Sequence, residues 1–131
     1  MNHYLERISS LAAAAILLQT LYFKFSAAPE SVYIFSQLHL EPYGRIGIGI
    51  LELFISLLLI FRRTSVWGSL FGLAVMIGAI VSHVLVLGIE VRNDKGLLFF
   101  LALAVFVLCL VSLILQKNKV LAFCKRLQER S

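Results

Sequence analysis

The run Leu97–Leu115, LLFFLALAVFVLCLVSLIL, contains no charged side chain. At ~1.5 Å of helical rise per residue, a run of that length crosses the ~30 Å hydrocarbon core of a bilayer. It lies in a predicted span of about Gly96 to Gln116. Three similar runs precede it, at about Leu5 to Phe25, Tyr43 to Phe61 and Ser65 to Ile89. Lipid offers no partner to backbone N–H and C=O groups, so each run has to satisfy its own by forming a helix. The expectation is an all-α, integral membrane four-helix bundle. Composition agrees: 60% of the 131 residues are hydrophobic, and the mean hydropathy is +0.94. A soluble domain of this size has too much surface to hide so much apolar side chain.

The segments between the runs are short, so residues 1–131 are expected to form one membrane domain. The first run leads into Lys24 without an Ala-x-Ala cleavage pattern, and it reads as a retained helix. Pro29 blocks its continuation. Glu30 to Leu40, with Val32, Ile34, Phe35 and Leu38, reads as a short interfacial helix that Pro42 and Gly44 end. Arg62 and Arg63 cap the second run, Trp67 marks an interface on the third, and Glu90 to Lys95 form a polar turn. Beyond Gln116 the tail 117–131 is basic. Its Val120, Leu121, Phe123, Cys124 and Leu127 recur at helical spacing, which predicts an amphipathic helix on an anionic membrane surface.

A net charge of +5 raises the question of nucleic acid. The bases cluster at the ends of apolar runs and form no continuous stripe, so no nucleic-acid partner is expected. With four spans, one side of the membrane carries Arg7, Arg62, Arg63, Lys117, Lys119, Lys125, Arg126 and Arg130, eight in all. The other carries four, Lys24, Arg45, Arg92 and Lys95, among Glu30, Glu41, Glu90 and Asp94. The asymmetry predicts an inner-membrane protein with both termini cytoplasmic. Cys109 and Cys124 are fifteen residues apart, with neither dithiol nor metal-ligand spacing, and read as small apolar side chains.

Polar residues inside the spans are the candidates for function. Glu52 falls near the middle of the second run, where a charge costs roughly 2.5–3.5 kcal/mol on insertion scales. Its helix can carry that cost, provided that the carboxylate faces protein or water. Arg45, Gly49, Glu52 and Ser56 share a face, which is therefore expected to point inward. His83 lies in the same half of the membrane, on the face of Gly68, Gly72, Met76 and Ala79, and Gln19, Thr20 and Lys24 approach from the first helix. Two arrangements fit: a structural knot in which Glu52 pairs with Lys24 or Arg45, or a ligand or proton site formed by Glu52, His83, Lys24, Gln19 and Arg45. No catalytic set and no metal site is expected. A single intramembrane His cannot supply two haem ligands, and His39 would join it only if the interfacial segment folded in.

Over about Leu18 to Leu115 the chain resembles the DoxX-like family of small four-helix membrane proteins. The resemblance is carried by Tyr22-Phe23-Lys24-Phe25, a Pro-bounded segment, Gly49-Ile50-Leu51-Glu52, Gly78-Ala79-Ile80 with Ser82-His83, and a charged turn before Leu97-Leu98-Phe99-Phe100. It implies an accessory or assembly subunit that works beside another membrane protein or an oxidoreductase. It also implies a second possibility, a subunit of a quinone-linked membrane oxidoreductase. The lone membrane glutamate supports a third, a small proton-coupled transporter.

Overall fold

The computed structural model describes residues 2–41, 43–88 and 96–130. Among them there is no strand. The chain forms α1 (Asn2–Phe25), α2 (Pro29–Gln37), α3 (Tyr43–Ile60), α4 (Ser65–Ser82), a π-helical turn (His83–Leu87), α5 (Leu97–Leu115) and α6 (Lys117–Arg130). Four segments, Tyr4–Phe25, Tyr43–Ile60, Ser65–Leu87 and Leu97–Leu115, are long and apolar enough to cross a membrane. The expected all-α, four-helix architecture is therefore present.

Boundaries differ from the sequence reading in informative places. α1 begins at Asn2 rather than near Leu5, because Glu6 is buried and extends the packed face toward the terminus. The third span is not one α-helix to Ile89. Its α-helix stops at Ser82, and His83–Leu87 widen into a π-turn that ends at Gly88, whose φ of 81° suits glycine. Ile89 and the expected turn Glu90 to Lys95 lie outside the described residues. So does Pro42, read as a terminator of the interfacial segment.

α1 lies against α3 and α5, and α4 lies against the same two helices, so the four spans form a closed ring. α1 and α3 run antiparallel, each lending the other an arginine. Arg7, near the start of α1, donates to the Ile60 carbonyl at the end of α3. Arg45, near the start of α3, donates to the Lys24 carbonyl at the end of α1. Both contacts satisfy carbonyls that a helix leaves open at its C-terminus. The end of the bundle that holds Arg7 and the chain termini is called the terminal end below, and the opposite end the distal end.

Ala13, Ala14, Leu17, Ile55, Leu59, Met76, Val105 and Cys109 form the core. Glycines let the spans approach, as van der Waals association in lipid requires. A Cβ on Gly68 would stand 2.8 Å from the Leu59 backbone nitrogen, and one on Gly72 would stand 2.8 Å from Cys109 Sγ. The outside of the ring is apolar too, with Phe54, Leu85, Phe100 and Ile114 exposed. Outward-facing side chains of that kind are stable against lipid and costly against water.

α2 is less peripheral than a purely interfacial helix. Pro29 opens it, and Ser31 and Phe35 are buried as it lies across α1, α3 and the π-turn at the distal end. α6 is a helix as expected, and no residue in it is buried. Phe123 meets Trp67 of α4 edge-on, at 5.1 Å between centroids.

Candidate functional site

Lys24 Nζ lies 3.0 Å from Glu52 Oε2, and both side chains are largely shielded from solvent. The separation in depth that the sequence implies is closed by helix geometry. Each Cα–Cβ bond in a helix leans toward that helix's N-terminus. Lys24, at the C-terminal end of α1, therefore leans into the bundle. Glu52, on the antiparallel α3, leans toward the distal end. The two side chains approach each other, and the Lys24 stem lies along apolar neighbours.

Glu52 Oε2 is buried, and the Lys24 ammonium is the polar group set against it. The helix beneath it is reinforced by Ser56 Oγ, which donates to the Glu52 carbonyl at 2.8 Å. Gly49, one turn from Glu52, makes room for Phe25, whose ring would lie 2.9 Å from an added Cβ.

His83 is buried at the start of the π-turn. Its Nδ1 lies 3.0 Å from the Gly88 carbonyl oxygen, and the Gly88 N–H donates back to the His83 carbonyl at 2.6 Å. A carbonyl only accepts, so this bond places a hydrogen on Nδ1 and leaves Nε2 for another partner. The imidazole also meets the Phe99 ring edge-on at 5.6 Å. The π-turn therefore brings Gly88 back over the histidine and fixes its ring.

Lys24, Glu52 and His83 line one cavity of about 370 Å³ in the distal half of the bundle. Its walls are otherwise mostly apolar, with Leu17, Met76, Ala79 and Val105 among them, and α2 contributes Phe35. A mostly apolar space with a few convergent polar groups has the form of a small-molecule site. A second hollow of about 290 Å³ shares Thr20, Phe23, Ser31, Leu98 and Leu101 with it and also touches Gln19 and Leu97.

Of the five residues expected together, three are brought together. Arg45 is buried but does not line the cavity. Its guanidinium Nε donates to both Glu41 carboxylate oxygens, at 2.9 and 3.1 Å, and its reach to the Lys24 carbonyl holds the end of α1. It thus positions Lys24 and leaves Glu52 alone. Gln19 is exposed and lines only the second hollow. His39 is exposed and absent from both, so it brings no second imidazole to His83.

The terminal end holds a polar cluster that sequence reasoning missed. Ser10 donates to Glu6 Oε1 at 2.9 Å and lies 2.7 Å from Ser112 Oγ. Ser69 reaches Ser112 at 2.9 Å, and Ser65 lies 3.0 Å from Glu6 and 2.9 Å from Gln116. All six side chains are buried. The available signal was a repeated spacing: Glu6/Ser10, Ser65/Ser69 and Ser112/Gln116 are i, i+4 pairs near one end of three different spans. This cluster closes one end of the ring, whereas the distal half encloses the cavity.

Fold and site together define a multi-pass helical membrane protein with an ion pair and a histidine on the wall of an internal cavity. No family model, no curated protein and no solved structure matches the chain.

Proposed function

We propose that this protein is a DoxX-like accessory or assembly subunit of the inner membrane whose distal cavity holds a small lipophilic molecule. The observation that carries the reading is the buried Lys24–Glu52 pair on the wall of a largely apolar cavity of about 370 Å³. A structural ion pair alone needs no adjoining space. Intramembrane ionisable groups that line a cavity mark ligand or ion paths. The proposed orientation puts both termini and α6 in the cytoplasm, following the eight-to-four division of Lys and Arg. The cavity then belongs to the outer leaflet half.

A quinone-linked oxidoreductase subunit is the second reading. It is favoured by the same pairing of an apolar chamber with polar groups on one wall. In either case the site binds and positions, and the redox chemistry belongs to a partner membrane protein.

The test is purification of the tagged protein from its own membranes with bound proteins and extracted lipophiles identified by mass spectrometry. Ala79→Phe, which fills the cavity, serves as the control. A lipophile retained by the unmodified protein and lost from Ala79→Phe is the expected result. Equal recovery from both would remove the cavity from the account.

A further inference from the structure

The cavity is unusually one-sided in its hydrogen bonding, and this bears on what it can hold. Thr20 Oγ1 donates to the Leu17 carbonyl at 2.8 Å, and Ser82 Oγ donates to the Gly78 carbonyl at 2.8 Å. Each hydroxyl therefore spends its hydrogen on its own helix and offers only lone pairs to the cavity. The Glu52 carboxylate offers only lone pairs, and its Oε2 lies against the Lys24 ammonium. With Nδ1 held by the Gly88 carbonyl, His83 has only Nε2 left for another partner. The donors that remain are the Lys24 ammonium, already in contact with Glu52, and the Ser31 hydroxyl.

We infer that the molecule bound here carries a hydrogen-bond donor on its polar head, a phenol or alcohol hydroxyl on an apolar body, and enters from the side between α1 and α5. The inference rests on the cavity being a ligand site. A hydroxyl can donate to the Glu52 carboxylate in a charge-assisted bond, which is stronger than a neutral one. A head group with acceptors only would meet the Glu52, Thr20 and Ser82 oxygens lone pair to lone pair, and would have to draw the Lys24 ammonium from Glu52 or rely on Ser31 alone.

The apolar body has a place as well. The second hollow shares five wall residues with the cavity and reaches the exposed Gln19 and Leu97, on α1 and α5. These two helices are neighbours in the ring, and their outer faces meet lipid. A tail laid in that hollow stays in apolar surroundings while the head reaches Glu52. Gln19, which the sequence grouped with Glu52 by depth, falls at the entrance of this route.

The experiment compares two probes, para-octylphenol and its methyl ether, in which a methyl group replaces the donor hydrogen. Equilibrium binding is measured to the full chain in phosphatidylcholine nanodiscs, with probe concentrations referred to the bilayer using empty discs. The phenol should bind about tenfold or more tightly than the ether, as a charge-assisted bond inside a dry cavity implies. Ala79→Phe should abolish specific binding of both, and Ala102→Phe on the α5 wall repeats the test if the first variant loses its helical signal. Equal affinity for phenol and ether, both blocked by the filled cavity, would overturn the donor inference and leave the ligand site standing. No specific binding of either probe to the unmodified protein would overturn both.

Discussion

Lys24 and Glu52, 28 positions apart in the sequence, meet at 3.0 Å because they lie on antiparallel helices and lean toward each other. Arg45 makes the meeting possible without taking part. It holds the Lys24 carbonyl, and Glu41 occupies its charge. The bundle thus separates two acid–base pairs that could have exchanged partners, and only one of them borders the cavity.

The glycine contacts give a sharp stability prediction. Gly68→Ala sets a Cβ against α3 backbone, which has no rotamer through which to yield. It should lower stability by about 1–3 kcal/mol, as overpacking does. Gly47, with nothing within 4 Å of an added Cβ, is the control. Gly47→Ala should be neutral or stabilising by up to about 1 kcal/mol from helix propensity. Thermal melts in one detergent read both. Equal effects would mean that α3 and α4 are not in close contact.

Ser112 is the hub of the terminal cluster, bonded to Ser10, Ser69 and Gln116. Ser112→Ala should cost about 1–2 kcal/mol, the range of single interhelical hydrogen bonds in membranes and of groups left unsatisfied. Adding Ser10→Ala should cost less than it does alone, because its partner is already gone. Chemical denaturation of the four proteins of this cycle checks it. Strict additivity would mean that the two hydroxyls do not share a bond.

Orientation is tested by impermeant thiol labelling in whole cells, after Cys109 and Cys124 are replaced by serine. Ser65 is unsuitable as a reporter because it is fully buried, so the exposed Arg63 takes its place. Arg63→Cys should label only after the membrane is opened, and Asp94→Cys should label in intact cells. The reverse pattern would invert the proposed topology.

The tail prediction uses the same topology. Leu121→Glu with Leu127→Glu puts charge on the apolar face of α6, none of whose residues is buried by the spans. α6 should leave the membrane surface and Phe123 should part from Trp67, shifting the emission of the chain's sole tryptophan while far-ultraviolet circular dichroism shows the spans intact. Unchanged Trp67 emission would mean that α6 does not rest there.

The apolar runs made the spans legible because lipid imposes helix on any such run, whatever packs against it. The inward stripe of α3 was legible for the same reason: Arg45, Gly49, Glu52 and Ser56 recur at helical spacing, and all are buried. Two candidates were grouped with Glu52, Gln19 by depth and Arg45 by a shared face, and neither criterion is enough. Gln19 precedes Lys24 by five residues, which turns it about 140° round α1, away from the face that Lys24 shares with Thr20. Arg45 lies on the Glu52 face but two turns away, and Glu41, one turn away, takes it first. The π-turn after Ser82 left no trace in hydropathy, since Val84, Leu85 and Val86 suit an α-helix equally well. Glu6 was overlooked because a glutamate near a chain terminus reads as solvated, whereas Ser10 from the next turn and Ser65 from α4 bond it and the bundle buries it.

The most direct measurement is a thermal double-mutant cycle on Lys24 and Glu52 in the same detergent. Glu52→Gln leaves the Lys24 ammonium buried without its counter-charge, and Lys24→Met does the same to the carboxylate. Each should cost about 3–5 kcal/mol, as breaking one side of a buried pair does. The double variant, with neither charge, should recover part of that loss, giving a coupling energy well above 1 kcal/mol. Arg45→Met combined with Glu52→Gln should show no such coupling, because Arg45 is bound to Glu41. Additive losses for the Lys24–Glu52 pair, or coupling transferred to Arg45, would contradict the account.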